Sequence, residues 1–130
     1  MTRDEVMALS DEELRAQAIL TMGRANGTRL LGFCPTKKRP LKTVLDEAGE
    51  PDYPHDIAAA WKLVKQLERD GFKTSVHTGM IDPRTGDVLD DSSAAIWNHD
   101  DIYWVGTAGP GESPLAITRA FVLAMTQEKP

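Results

Sequence analysis

The sequence predicts an α+β domain: a mostly antiparallel sheet of about four strands with three helices packed on it. Three observations carry this. Apolar residues recur at helical spacing in three stretches, and short alternating runs lie between the second stretch and the third. Polar turns join those runs so closely that neighbouring strands have to run antiparallel. One domain over 1–130 is expected, because 130 residues is an ordinary single-domain length. With 41% apolar and 27% charged residues, the chain can build a core and does not resemble a disordered one.

The first helix begins at Ser10. Ser10-Asp11-Glu12-Glu13 reads as a capping box, with Leu9 and Leu14 placed as a hydrophobic staple. Leu14, Ala18 and Met22 line one face, and Gly23 stops the helix. The second helix is expected from Pro54 to Asp70. Ile57, Ala60, Trp61, Val64 and Leu67 form its apolar stripe, opposite Lys62, Lys65, Gln66 and Arg69. Gly71 suits the left-handed position after it, and Phe72 can fold back onto Leu67. The third helix opens at Ser113-Pro114, a serine cap followed by a proline whose missing N–H is not needed there. Leu115, Ile117, Ala120, Phe121, Ala124 and Met125 make it the most buried helix.

Strands fill the gaps. Arg29 to Cys34 is a short apolar run. Phe72 to Thr78 alternates, with Phe72, Thr74 and Val76 on one side. Asp82-Pro83-Arg84-Thr85-Gly86 is a turn joining a strand that ends near Ile81 to one that starts near Asp87. Ala94 to Trp97 and Ile102 to Gly106 form another pair around Asn98-His99-Asp100-Asp101. Residues 35–52 carry Pro35, Pro40, Gly49 and Pro51 and read as a long loop.

The net charge of −5 disfavours duplex nucleic acid. Lys37-Lys38-Arg39 reads as a solvated patch. Cys34 is the only cysteine, so neither an intrachain disulfide nor a cysteine zinc site can form. The charged residues after Met1 do not read as a signal peptide, and no apolar run is long enough for a membrane span. A cytoplasmic location is expected.

Tyr53, Asp56-Ile57-Ala58-Ala59-Ala60-Trp61, Leu67 and Gly71-Phe72 resemble the central segment of the phage α-β-α (ABA) sandwich domain family. Pro114-Leu115-Ala116-Ile117 with Arg119-Ala120 is similar to that family's closing helix, and Ser10 to Gly23 to its opening one. The resemblance covers roughly 9–22 and 53–125. Pro54-His55 and Thr118 depart from the pattern, which has small hydroxyl residues and a cysteine there. It implies a bacteriophage or prophage origin, a three-layer α-β-α sandwich and the host cytoplasm. It carries over no catalytic residue.

The best local candidate for a site is Gly106 to Ser113. A glycine-rich loop after a strand opens into a helix, where free amides and the helix dipole favour an anion. Gly106, Thr107, Gly109, Gly111 and Ser113 would cradle it, and Arg119 would add charge. The plain alternative is a tight loop with an ordinary serine cap; no Walker lysine is present. Trp97 and Trp104 flank one turn and could stack a base. Tyr103 and Trp104 are adjacent in a strand and must face opposite sides, whereas Trp61 and Trp97 read as core.

These features predict a non-catalytic phage binding protein for a small phosphate-bearing ligand, such as a nucleotide or cyclic nucleotide. Capture of a host-defence nucleotide signal is one use. A homo-oligomer is expected, with no cofactor and no metal. A protein–protein module that inhibits or redirects a host factor is the alternative, recognisable by an exposed apolar patch. A metal-dependent phosphodiesterase would need His55, His77 or His99 clustered with aspartates.

Overall fold

Two capping boxes open the chain. In the computed structural model, which describes residues 2–22, 41–100 and 102–126, Thr2 caps α1 (Arg3–Ala8) and Ser10 caps α2 (Asp11–Thr21). In each, the hydroxyl accepts from the glutamate amide three residues on, and that glutamate accepts from the cap amide. The first box, Thr2-Arg3-Asp4-Glu5, is the same signal as the second, so α1 is an element that sequence reasoning left out. The expected strand from Arg29 to Cys34 and the basic cluster Lys37-Lys38-Arg39 lie outside the described residues.

The loop expected over 35–52 is partly helical. α3 (Leu41–Glu47) buries Leu45, with Leu41 and Val44 half-buried on the same side. What holds it is Arg15 of α2, a buried arginine with three partners. Its Nε donates to Pro51 O at 3.0 Å, Nη1 to Asp46 Oδ1 at 2.7 Å, and Nη2 to Glu50 O. Arg15 first, and then Lys42, hold the Asp46 carboxyl below its ordinary pKa.

The second helix is shorter than expected. Tyr53, Pro54 and His55 form a turn, and Asp56 caps α4 (Ile57–Arg69) by accepting from Ala58 N. Its C-terminus matches the Schellman expectation. Gly71 has φ +89°, its amide donates to Glu68 O, and the Phe72 amide donates to Leu67 O. The stripe needs correction. Ala59, Ala60, Leu63, Val64 and Leu67 face inward, while Ile57 and Trp61, one turn apart, are 44% and 45% exposed. The small Ala59 and Ala60 take the packed side, and the bulky pair lies at its margin.

Among the described residues the sheet has three strands in the order β1 (Lys73–His77), β4 (Ser92–Trp97), β5 (Tyr103–Ala108), all antiparallel. β2 (Met80–Ile81) and β3 (Val88–Asp90) form a separate two-stranded ribbon. The described strands thus divide between a sheet and a ribbon, where one sheet of about four strands is expected. The ribbon continues the β1–β4 hairpin, since Met80 faces Asp90 in the register that Lys73–Trp97 through His77–Ser93 set. The ladder breaks between them because Thr78 O is used elsewhere: it accepts from Gly111 N at 3.1 Å and from Ser92 Oγ at 2.6 Å. The Asp82–Gly86 turn forms as expected, closed by Asp82 N to Asp87 O and Gly86 N to Asp82 O, both 2.8 Å.

One sheet face, including Val76, Ala94, Ile96, Trp104 and Ala108, turns toward α4 and α5 (Ser113–Thr126). α5 buries ten of its fourteen residues and is the core helix, as its composition predicts. It packs on β4 and β5 on one side and on α2 on the other. A fully buried Phe121 or Ile117 each contributes about 1.5–3 kcal/mol through removal from water. The described protein is thus α+β, with helices packed on an antiparallel sheet. Its described helices number five, against the three expected.

Candidate functional site

Three amides of the loop after β5 are already bonded within the chain. Gly109 N donates to Glu112 Oε2 at 2.9 Å, Gly111 N to Thr78 O, and Glu112 N to Gly109 O at 3.1 Å. The carboxylate of Glu112 sits where the expected anion would. Gly106 is a packing residue. A Cβ there would lie 2.4 Å from Ala116 O and 2.5 Å from Ala120 N, so the absent side chain is what lets α5 rest on β5. Thr107 lends its carbonyl to Arg119 Nη1 at 2.7 Å, which holds that guanidinium on the strand. Ser113 is buried as the first residue of α5. The cradle expected at Gly106, Thr107, Gly109, Gly111, Ser113 and Arg119 is therefore a structural splice, joining β5, α5 and the base of the hairpin.

The aromatic residues separate as strand alternation demands. Trp104 points inward and is 7% exposed, whereas Tyr103 is 58% exposed. Trp97 is half-buried on the outer sheet face, where it stacks on Tyr103 with ring centroids 5.7 Å apart. Neither the core place expected for Trp61 nor the pairing of Trp97 with Trp104 at one ligand holds. Trp104 also stands five residues before Gly109, roughly 17 Å along the strand.

The histidines are dispersed. His77 Nε2 lies 2.7 Å from Asp90 Oδ2, pinning β1 to the ribbon. His55 sits between two carboxylates, with Nε2 2.7 Å from Asp11 Oδ2 and Nδ1 3.0 Å from Asp52 Oδ1. Burial lowers its pKa, but the two aspartates outweigh that and hold it above the ordinary histidine value. Among the described residues, no group of three or more His, Cys, Asp or Glu could hold a metal ion.

A groove of about 540 Å³ lies at the other end of the sheet, and sequence reasoning missed it. Its floor is Trp104 and Phe72, which meet edge-to-face at 5.8 Å, together with Ile102. One wall is the end of α4 at Asp70 and Gly71, and another is the end of α5 at Ala124 and Met125. The β4–β5 turn, Asn98 to Asp100, closes the third side. This turn is fixed from within, since Asn98 Oδ1 accepts from Asp100 N at 3.0 Å and from Ile102 N at 3.2 Å. The residues were visible in the sequence, but they come from four elements, and no local spacing joins them.

No family model, curated protein or solved structure matches this chain. No helix of the described residues is long and apolar enough to cross a membrane.

Proposed function

We propose that this chain is a non-catalytic binding protein that holds a small ligand in the groove over Phe72 and Trp104. The single observation that carries this is the groove itself: 540 Å³, an aromatic floor and a polar turn at the rim. Ligand pockets have that size and that division between apolar body and few polar groups. The reading keeps the class of protein that the sequence suggests and moves its site. The 106–113 loop lends no support to phosphate capture there, because its Gly109, Gly111 and Glu112 amides already have partners. The likeness to phage sandwich proteins adds a setting, stoichiometric capture inside an infected cell.

A thermal-melt screen of small organic compounds tests it. A ligand at 100 times its dissociation constant is expected to add about 2.7 kcal/mol. Met125→Trp, at the half-open end of the groove, is expected to abolish that gain. A screen without a hit, or a hit indifferent to Met125→Trp, removes the groove from consideration.

A second reading has its own observation. Met80, Ile81, Val88 and Leu89 are each at least half exposed on the ribbon. Four large apolar side chains on so short a hairpin mark a protein-contact surface, and the expected homo-oligomer would form through it. Replacing them together (Met80→Gln, Ile81→Thr, Val88→Thr, Leu89→Gln) is expected to leave a folded monomer in sedimentation equilibrium. A wild-type chain that is already monomeric at high concentration rules out self-association by this arm.

A further inference from the structure

We infer that the groove selects an organic cation, an ammonium or guanidinium group carried on an apolar or aromatic body; this rests on the groove being a ligand site at all. Four observations point the same way. The first is charge: Asp70 and Asp100 stand at the rim, and no lysine or arginine is among the described lining residues. The second is the helix ends. The groove lies at the C-terminus of α4, capped by Asp70, and beside the last residues of α5. Both macrodipoles turn their negative ends toward it, and a cation is favoured at such an end.

The third is the state of the backbone donors. Most backbone amides around the groove already have partners, which leaves the side chains of Asn98 and His99 as the donors an anion would meet. Gly71 N and Phe72 N are bound in the helix end, and Asp100 N and Ile102 N are bound to the Asn98 side chain. The carboxylates, by contrast, are exposed acceptors. Among the described residues, each Asp70 carboxylate oxygen accepts a long 3.3 Å contact from Gln66 Nε2, one turn back. The fourth is the floor. Trp104 and Phe72 give an aromatic surface on which a cation gains from the ring quadrupole and an apolar body gains from burial. Two partial helix charges, two carboxylates and two rings act together on one ligand charge. For a phosphate the described lining offers the Asn98 and His99 side chains and no lysine or arginine.

The experiment uses the full chain and two probes with the same phenylbutyl body and opposite head charge: 4-phenylbutyl-trimethylammonium and 5-phenylpentanoate. Binding is read by the fluorescence of Trp104 in a Trp61→Phe, Trp97→Phe background, where it is the sole tryptophan. The ammonium is expected to bind saturably and at least about tenfold tighter than the carboxylate. Asp100→Asn and Asp70→Asn, both at exposed positions, are each expected to weaken the ammonium severalfold and to leave the carboxylate no worse. If the carboxylate binds as well or better, the charge preference is wrong while the groove stands as a ligand site. If neither probe binds up to its solubility limit, the cation inference is overturned, and the compound screen then decides the groove by itself.

Discussion

Gly106→Ala is expected to destabilise the protein by about 3 kcal/mol, or more, and to lower its melting temperature by roughly 10 °C. The new methyl group would meet main-chain atoms of α5, the carbonyl of Ala116 and the amide of Ala120, at 2.4 and 2.5 Å. A flexible side chain could swing away from such a contact, but a helix backbone cannot. α5 would have to lift from β5, and it is the element that joins the sheet to α2. Gly109→Ala is the control. Its Cβ would approach only the Glu112 carboxylate, at 3.0 Å, and that side chain can move. A cost under about 1 kcal/mol is expected there. Urea unfolding midpoints check both. Equal small losses at the two sites would mean that the strand and helix are not in the close contact described.

Arg15→Met is expected to cost about 3 kcal/mol, even though it keeps a long unbranched side chain. The cost comes from what is left behind. The carbonyls of Pro51 and Glu50 lose their donor in a region that Arg15 itself closes off from water. Arg15→Lys should recover only part of the loss, because an ammonium cannot reproduce the fork of three separate donors. The Asp46 carboxyl gives an independent readout. Its pKa should rise toward the ordinary aspartate value once the guanidinium is gone, with Lys42 still lowering it in part. Asp46 titrating unchanged in Arg15→Met would show that the pair is not formed in solution.

These two residues also show where sequence reading stopped. The Ser10 cap, the Schellman end at Gly71, the Asp82–Gly86 turn and the burial of α5 follow from patterns spanning five residues or fewer, or from simple periodicity. Each is a local decision, made by which backbone groups a nearby side chain can satisfy. α1 was equally legible through its capping box. Trp61 failed for a different reason. Its helix has two overlapping apolar stripes, and periodicity alone does not say which one meets the sheet. Arg15 carried no signal at all, because its partners are more than thirty residues away.

The glycine-rich loop is the clearest case of a correct local pattern with another use. Strand, glycines and helix are all where the sequence puts them. Yet the hairpin base brings Thr78 O to Gly111, and Glu112 turns back onto Gly109. Hydrogen-bond donors cannot serve an anion while they serve the chain. The groove is the converse: Asp70 and Phe72 look ordinary in sequence, Trp104 is expected at a ligand only beside Trp97 and His99 only at a metal, and the sheet register and the two helix ends are what assemble the four.

By itself, the sequence determined the fold class, the Ser10 cap, the Asp82–Gly86 turn and the strand alternation that puts Tyr103 and Trp104 on opposite sides, because these depend on neighbours within a few residues. Only the tertiary structure decided which helix stripe is buried, which donors remain free and where a ligand could enter. Those depend on groups from distant segments competing for the same space and the same hydrogen bonds.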